Sequence, residues 1–292
     1  MDQKKTGLAV SIVHMNNSKI LENCLKSIYE HPPSIPFKVF VIDNGSSDGS
    51  QDMVKKRFPQ VHLIENGMNI GFSRCNNMAL RRSRNSKYFL LLNNDTIILP
   101  GSFDNMINFM EEHPDCGISG IKLLFPNGKV QSCKFTFPTL LKEFFHAHVL
   151  IKNILAKNKK LMWNLRKAYY SLQGEKKAKE MLDYDTTQEV DDVLGACFLV
   201  RMKAIDQIGV FDQDYFFCRE ESDYAIRAKR KGWKVYYNSE ATIIHIGGAT
   251  AKRLNIAYYC QDKISANFFL KKHYSLLKRL LFKLIIFEAF CK

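Results

Sequence analysis

The stretch that decides the fold is residues 39–49, which read VFVIDNGSSDG. Its four apolar residues are typical of a buried strand, and the Asp, Asn, Gly and Ser residues that follow are typical of a turn. Residues 88–92 form a second apolar run that ends in Asn-Asn-Asp at 93–95, and residues 215–217 form a third that leads into Glu-Glu-Ser-Asp at 220–223. We predict a strand before each of these acidic stations. Ligands of an open α/β sheet bind beyond the carboxyl ends of its strands, where such acids can hold a divalent cation and a polyhydroxy substrate.

Strands and helices alternate along the first hundred residues of the chain. The predicted elements are a strand at 8–14, a helix from an Asn16 or Asn17 cap to about 29, a strand at 37–42, a helix at 47–58, a strand at 61–65, a helix at 72–83 and a strand at 88–92. This spacing predicts βαβ units in a Rossmann-like, mostly parallel central sheet flanked by helices.

The alternation loosens after Pro100. We predict helices at 102–112, 203–208 and 221–231, strands at 117–124, within 190–202, at 234–237 and at 242–246, and a turn at 126–128. Residues 139–182 are helical in composition, with ten basic and three acidic residues between 140 and 182, and 257–290 also reads as helix. We therefore expect one domain over 1–256 with a basic helical insertion at 139–182, followed by a C-terminal helical tail at 257–292.

The charge of the chain predicts an anionic partner. Its 292 residues are 46% hydrophobic and 25% charged, which is ordinary for a globular protein, but the net charge of +14 is not. Nucleic acid, a membrane surface or a phosphorylated substrate would fit this charge. Because aromatic residues do not interleave with the basic runs, we do not expect nucleic acid as a partner.

The cysteines and the apolar segments predict a cytoplasmic protein. The eight cysteines have no C-x-x-C pair, which argues against a zinc ribbon and a disulfide framework and favours reduced thiols. The N-terminal residues contain no signal-peptide apolar region, and no apolar run approaches the roughly 20 residues of a membrane span.

The tail favours the surface of an anionic membrane. One helix face is apolar and the opposite face is basic, which is the pattern of a helix lying on a bilayer. The alternative is that this face closes the core while the lysines are solvated. For residues 139–182, contact with a membrane and packing on the core are equally supported. The apolar face is predicted to hold Leu270, Tyr274, Leu277, Leu281 and Leu284, and the basic face Lys272, Arg279 and Lys283.

The first two polar loops are candidates for nucleotide binding. Asp43 can accept hydrogen bonds from a nucleobase or a ribose, although a loop of turns and helix caps would use the same residues. Residues 69–77 form a polar turn that opens a helix, and its amides and Arg74 are placed to face a diphosphate. An ordinary helix start explains that turn equally well.

The later acids are candidates for metal binding and catalysis. Asp95 is the expected ligand of Mg²⁺ or Mn²⁺, with Asn93 weaker because it brings no charge. Glu220 and Glu221 begin a helix, where acidic side chains interact favourably with the helix dipole whatever their function. The aromatic residues before them would raise the pKa of a carboxyl group, which suits a general base. His245 is either structural or a metal ligand at the same sheet edge.

Read in order, these motifs resemble those of the inverting family 2 glycosyltransferases with the GT-A fold, and most of all the rhamnosyltransferase-like members of bacterial polysaccharide assembly. The resemblance covers roughly residues 8–250. The matching stretches are SIVHMNN at 11–17, VIDNGSSDG at 41–49, NIGF at 69–72, LLNND at 91–95, GACFLVR at 195–201, 216–227, Gly-Trp at 232–233 and His245.

The resemblance implies a role for each station. Asp43 would contact the base or ribose of a nucleotide-sugar, and Asp95 would bind Mg²⁺ or Mn²⁺ and, through it, the diphosphate. Glu221 matches the catalytic base of the family, and His245 matches a residue that contacts the metal or the diphosphate. Residues 195–197 would line the bottom of the acceptor side of the site. The implied nucleotide-sugar contacts are His14, Asn16, Asp43, Asn44, Ser46, Asn69, Gly71, Arg74, Asn93, Asn94, Gly195, Ala196 and Glu220. The chain departs from the family pattern at Asn93, where an acid is usual, and at Glu221, where Asp is commoner.

The predicted function is sugar transfer with inversion. The donor would be a UDP- or dTDP-linked sugar, with dTDP-rhamnose a candidate, and the acceptor a hydroxyl of a glycan or lipid-linked molecule. The protein would then lie peripherally on the inner face of the cell membrane. A nicotinamide dehydrogenase and a P-loop NTPase are excluded because neither glycine-rich loop occurs. The alternative is a catalytically silent relative that binds a sugar nucleotide or scaffolds other enzymes.

Overall fold

The computed structural model describes residues 6–137, 164, 167, 175–247, 255–277, 279 and 280. The chain divides into two compact units, one made of Met1–Phe135 and Asp185–Ser265, the other of Thr136–Tyr184 and Ala266–Lys292. The predicted division into a domain at 1–256 and a tail at 257–292 stays a prediction. Most of the insertion at 139–182 lies outside the described residues.

The strands and helices are numbered here in chain order. The strands are β1 (Leu8–His14), β2 (Phe37–Asp43), β3 (His62–Glu65), β4 (Tyr88–Leu92), β5 (Thr96–Ile98), β6 (Cys116–Leu124), β7 (Lys134–Phe135), β8 (Gln188–Glu189), β9 (Asp192–Val193), β10 (Cys197–Arg201) and β11 (Lys234–His245). The helices are α1 (Ser18–Glu30), α2 (Ser50–Arg57), α3 (Phe72–Arg82), α4 (Ser102–Glu112), α5 (Glu175–Leu182), α6 (Met202–Ile208), α7 (Glu220–Arg230) and α8 (Asn255–His273).

A nine-stranded sheet forms the core of the unit made of Met1–Phe135 and Asp185–Ser265. Its order is β3-β2-β1-β4-β10-β6-β11-β5, with β8 paired to β11. The β3-β2-β1-β4 half is parallel, as is the β6–β11 pair, whereas β10 runs antiparallel between β4 and β6. β1 and β4 are almost wholly buried, because strands covered on both faces need apolar residues on both. The predicted mostly parallel α/β fold is confirmed.

Three predictions of secondary structure are wrong. Residues 215–217 form irregular backbone with bends rather than a strand, so the third acidic station begins α7 after a loop. The two strands predicted at 234–237 and 242–246 are one strand, β11, whose pairing with β6 is irregular between Asn238 and Thr242. That irregularity places polar residues mid-strand, which interrupts the apolar pattern and hides the continuity.

The third correction concerns the tail, where α8 ends at His273 instead of running on to 290. The amide of Arg279 donates to the Ser275 carbonyl at 2.9 Å, so a new helical stretch begins at Ser275, a residue that favours helix starts. Leu270 is 4% exposed and Leu277 is 70% exposed, so they do not form one apolar face. Leu281, Lys283 and Leu284 lie outside the described residues.

The helix starts also differ from expectation. Asn17 caps α1 in a left-handed conformation, and its side chain makes no capping hydrogen bond. The Ser18 amide instead donates to the Asp48 carboxylate at 2.9 Å, so the loop after β2 caps α1. Among the described cysteines, Cys24, Cys75, Cys116 and Cys197 are buried free thiols. Among the described helices, none has the length and apolarity to cross a membrane.

Candidate active site

Strand directions bring the candidate residues to one edge of the sheet. β1 and β2 end in register at His14 and Asp43. β4 ends at Leu92, and the antiparallel β10 begins directly opposite it at Cys197. The last residue of β11, His245, pairs with Thr96 at the start of β5. The loops after β1, β2 and β4, the loop before β10 and the end of β11 therefore meet at the same edge.

Asp43 has one carboxylate oxygen held and one without a protein partner. Its Oδ2 accepts hydrogen bonds from the Ser46 amide at 3.1 Å and from Gln51 Nε2 at 2.9 Å. Gln51 also donates to the Ser46 carbonyl at 2.8 Å, which fixes the loop around the carboxylate. Oδ1 is buried and has no hydrogen-bond partner among the described residues. A buried carboxylate oxygen in this state is a ready acceptor for a ligand donor.

His14 ties the loop after β2 to the loop after β4. Asn94 Nδ2 donates to His14 Nδ1 at 2.8 Å, which makes Nε2 the protonated nitrogen. Nε2 donates to Ser50 Oγ at 2.9 Å, and Ser50 donates to Asp48. Burial lowers the pKa of His14 to about 4, although the charges of Asp43 and Asp48 act in the other direction. His14 is therefore a neutral connector at neutral pH.

Paired asparagines lock the turn before α3. Asn44 Nδ2 donates to Asn69 Oδ1 at 2.7 Å, and Asn44 Oδ1 accepts from the Ile70 amide at 2.8 Å. Asn69 Oδ1 also accepts from the Gly71 amide at 3.0 Å, and the Phe72 amide donates to the Phe216 carbonyl at 2.7 Å. These three amides are thus occupied by protein acceptors, and the expected contact of the 69–77 turn and Arg74 with a diphosphate stays a prediction.

The loop after β1 is bound to the loop after β2. The Asn16 amide donates to Ser46 Oγ, and Asn16 Oδ1 accepts from the Ser47 amide, both at 2.9 Å. Asn16 takes a positive φ of 58°, a conformation that Asn tolerates better than most residues. Arg74 is exposed in the first turn of α3 and adds no hydrogen bond to the described network.

Asp95 and His245 form the candidate cation site. Asp95 Oδ1 lies 3.2 Å from His245 Nε2, and both side chains are at most 10% exposed. Asn93 Nδ2 lies 3.4 Å from the same ring nitrogen. The Ile246 amide donates to the Asp95 carbonyl at 2.9 Å, so the two residues are tied through the backbone as well. An imidazole nitrogen and a carboxylate oxygen at this separation suit two ligands of one metal ion, each about 2.1 Å from it.

The Glu221 carboxylate packs directly against the Gly195 backbone. A Cβ added at Gly195 would lie 2.6 Å from Glu221 Cδ and 2.7 Å from Cγ, so only glycine leaves room for this side chain. Burial raises the pKa of Glu221 to about 7, and the charge of Asp192 adds to this while Arg219 opposes it. Ser222 donates to Asp192, which also accepts from the Val193 amide at 2.9 Å. A carboxylate with a pKa near neutrality is suited to general-base work.

Glu220 and the loop before it complete this side. Burial raises the pKa of Glu220 well above its usual range, with the charge of Glu221 adding to the effect. Its Oε2 is buried without a hydrogen-bond partner among the described residues. Cys218 and Arg219 precede α7 with φ values of 69° and 72°, a costly left-handed pair for residues that are neither Gly nor Asn. The left-handed pair ends the loop and starts the helix at the two acids.

Backbone contacts connect the cation side to the base side. The Asn93 amide donates to the Ala196 carbonyl at 2.9 Å, which joins the loop of Asp95 to the residue beside Gly195. A Cβ at Gly71, where φ is 91°, would lie 2.8 Å from the Phe216 carbonyl, so the turn before α3 touches the loop before α7. Except for Arg74, the predicted site residues belong to this connected set.

Sequence reasoning missed four residues of the site. Ser50 and Gln51 follow the Asp48-Gly49 turn directly, and their position at the start of α2 was a signal for both. Asp192, next to Glu221, and Gln131, next to His245, carry no local signal, because tertiary contacts bring them there: α7 packs on β9, and the Gln131 side chain reaches His245.

Comparison with known proteins identifies the family. The family model described as Glycosyl transferase family 2 matches residues 9–209, more than half of the chain. The chain belongs to glycosyl transferase family 2. The resemblance read from the motifs is thereby confirmed.

Two curated relatives of this family 2 chain are bacterial. The N-acetylglucosaminyl-diphospho-decaprenol L-rhamnosyltransferase of Mycobacterium tuberculosis is 27% identical over 220 residues, which cover 72% of this chain and 66% of the relative. The O-antigen biosynthesis protein RfbC of Myxococcus xanthus is 22% identical over 218 residues, 74% of this chain and 15% of that protein. The chain thus spans slightly less than two thirds of the rhamnosyltransferase.

Solved structures share the fold. S. aureus TarS residues 1–349 match with a TM-score of 0.55 at 14% identity, covering 97% of this chain and 71% of that one. The mannosyltransferase PcManGT from Pyrobaculum calidifontis, solved with GDP-Man and Mn²⁺, matches with a TM-score of 0.55 at 15% identity, covering 99% and 74%. The predicted GT-A fold is confirmed.

Proposed function

We propose that this protein is an inverting glycosyltransferase that moves a sugar from a nucleoside-diphosphate sugar to a hydroxyl of a glycan or lipid-linked acceptor in surface polysaccharide assembly. One observation carries the proposal: Glu221, a carboxylate with a near-neutral pKa, packs on Gly195, and the neighbouring Ala196 is bonded to the loop that holds Asp95. The backbone hydrogen bond between Asn93 and Ala196 thus connects the candidate base to the candidate cation site. Membership of family 2 supports the same reaction class.

Glu221 acts as the general base of the transfer. Its carboxylate removes the proton from the acceptor hydroxyl as the oxygen attacks the anomeric carbon, opposite the departing diphosphate. Because the acceptor oxygen displaces the diphosphate in one step, with no nucleophile from the enzyme, the configuration at the anomeric carbon is inverted. A glycosidase needs a second carboxylate, whereas a diphosphate leaves without one. Glu220, kept neutral by its raised pKa, limits the negative charge beside the base.

Asp95 and His245 would hold a divalent cation, Mg²⁺ or Mn²⁺. In the described part of the chain no group of three His, Cys, Asp or Glu residues could hold a metal ion, so this site would offer two protein ligands. Diphosphate oxygens and water would be the further ligands. Two solved neighbours were crystallised with Mn²⁺ and GDP-Man or UDP, which supports a cation here. When bound, the cation neutralises charge on the leaving diphosphate.

Asp43 binds the nucleoside. Its unpartnered Oδ1 accepts a hydrogen bond from the base or ribose, while Ser46 and Gln51 hold the other oxygen. The name of the mycobacterial relative supports rhamnose as the transferred sugar and a lipid-linked acceptor. The donor in this proposal is a UDP- or dTDP-linked sugar such as dTDP-rhamnose.

A lipid-linked acceptor favours peripheral contact with the inner face of the cell membrane. Leu276, Leu277 and Leu280 are 63%, 70% and 50% exposed, and the chain is strongly basic. Apolar side chains on a cationic protein suit an anionic bilayer. Cosedimentation with anionic vesicles, but not with neutral ones, tests this contact. Equal binding to both, or to neither, contradicts it.

The catalytic proposal is tested with nucleotide-sugars and the variant Glu221→Gln. The wild type should turn over a UDP- or dTDP-sugar with Mn²⁺, and the variant should bind the nucleotide but lose turnover. Asn93 favours one rival, a silent relative, because its amide brings no charge to the cation site. Nucleotide binding without transfer or hydrolysis by the wild type would establish that rival.

A further inference from the structure

Gln131 grips His245 at two points. Its Nε2 donates to the His245 carbonyl at 2.6 Å, and its Oε1 lies 2.9 Å from His245 Nδ1. Gln131 is 5% exposed, so its side-chain amide makes its hydrogen bonds to His245 rather than to water. The buried side chain thus controls both the ring and the backbone of that residue.

The two contacts together determine which ring nitrogen carries hydrogen. A carbonyl oxygen can only accept, so the amide nitrogen of Gln131 must face the His245 carbonyl. Oε1 then faces Nδ1, and Nδ1 must be the N–H donor of the ring. In the neutral ring, the other nitrogen, Nε2, keeps its lone pair. That lone pair is the one directed at Asp95 Oδ1, 3.2 Å away.

A hairpin after β6 delivers Gln131 to this position. The Phe125 amide donates to the Lys129 carbonyl at 2.8 Å and Gly128 closes the turn, so the chain reverses and runs back along β6. The Gln131 amide then donates to the Leu123 carbonyl at 2.8 Å. β6 pairs with β11 up to Ile244, and from this hairpin the Gln131 side chain reaches the next residue of β11, His245.

We propose that Gln131 is a positioning residue that presents His245 Nε2 to the divalent cation. The inference rests on the proposed cation site at Asp95 and His245. Outer hydrogen bonds of this kind orient the ligand ring and fix its tautomer, and their removal typically weakens metal binding 10–100-fold. The turn at 126–128 thereby serves the site rather than chain reversal alone.

The experiment measures Mn²⁺ binding by calorimetry and by the electron paramagnetic resonance of free Mn²⁺, with saturating UDP or dTDP. Gln131→Met keeps the size of the side chain but loses both polar contacts, and its Mn²⁺ dissociation constant should rise 10–100-fold. Gln131→Asn keeps an amide but is one methylene too short for either contact, so it should show the same loss if the Met variant does not fold. Gln207→Met, which removes an exposed amide bonded to Trp233, is the matched control.

A double variant separates positioning from general damage to the fold. In the His245→Ala background there is no ring to orient, so Gln131→Met should weaken Mn²⁺ binding no further. The inference is overturned if Gln131→Met leaves the affinity within about threefold of the wild type, or if its effect is undiminished when His245 is absent. Wild-type protein that transfers sugar without binding Mn²⁺ would overturn the cation site and this inference together. Tight Mn²⁺ binding without transfer would instead refute the proposed function and leave the role of Gln131 standing.

Discussion

Replacing Gly195 with alanine should disable the proposed base without touching any residue that reacts. A Cβ atom at this position would lie 2.6 Å from Glu221 Cδ and closer still to Oε1, whereas real Cβ atoms essentially never come within 3.0 Å of another heavy atom. The carboxyl carbon must retreat by about 0.4 Å at the least, and Oε1 by more than about 1 Å.

The expected effect follows from the size of that displacement. A misplacement of about 1 Å in a catalytic group can reduce the rate on the order of 100-fold. Nucleotide binding should change little, because Asp43 and its loop lie on β2 and are bonded to Ser46 and Gln51, not to Gly195. The extra methyl group should also destabilise the fold by about 1–3 kcal/mol.

The assay compares kcat for sugar transfer with the dissociation constant of UDP or dTDP and with the melting temperature. Gly117→Ala is the control, because the three atoms nearest to its Cβ all belong to the Trp233 side chain, the first of them at 2.7 Å. The control should lose stability but keep kcat. A Gly195→Ala enzyme whose kcat stays within about threefold of the wild type would refute the role of Glu221 packing.

The other predictions concern the acids of the site. Glu221→Gln should lower kcat about 10²–10⁴-fold. In the wild type kcat should fall about tenfold per pH unit below about pH 7, and the variant should lose this dependence. If the variant keeps it, another residue is the base. Folding raises the pKa of Glu221 from 4.5 to about 7, so its contribution to stability is complete below pH 4.5 and is lost as the pH rises through 7. At pH 8 the Gln variant should therefore be more stable than the wild type in urea titrations, by up to about 3 kcal/mol. Asp43→Asn should weaken nucleotide binding by about 1.5–3 kcal/mol in calorimetry, and equal affinity would remove Asp43 from the binding site. Asp95→Asn should raise the Mn²⁺ dissociation constant while leaving metal-free melting nearly unchanged, and unaltered Mn²⁺ affinity would exclude Asp95 as a ligand.

Local pattern was sufficient for the first half of the fold. β1, β2 and β4 and the helices α1 and α3 could be predicted because each combines a strong apolar period with a clear turn or cap. The parallel arrangement followed from their alternation. Polar residues at strand ends indicated the site edge, since parallel strands end on the same side.

Short and irregular elements escaped prediction because their stability comes from neighbours. β5 has three residues and no pattern of its own, yet its pairing with β11 is what sets Asp95 against His245. β11 itself was predicted as two strands because polar residues interrupt it where its register with β6 shifts. Pairing energy, which is shared between strands, overrode local propensity in both cases.

The sequence by itself determined the residue chemistry of this protein: carboxylates, asparagines and a histidine after apolar runs, in an order that indicates family 2. Tertiary structure alone decided which of them meet. Glu221 contacts Gly195 and Gln131 holds His245 across 26 and 114 positions of the chain, through packing and strand register. Local propensity acts over a few residues, whereas contacts at such separations exist only once the sheet has closed.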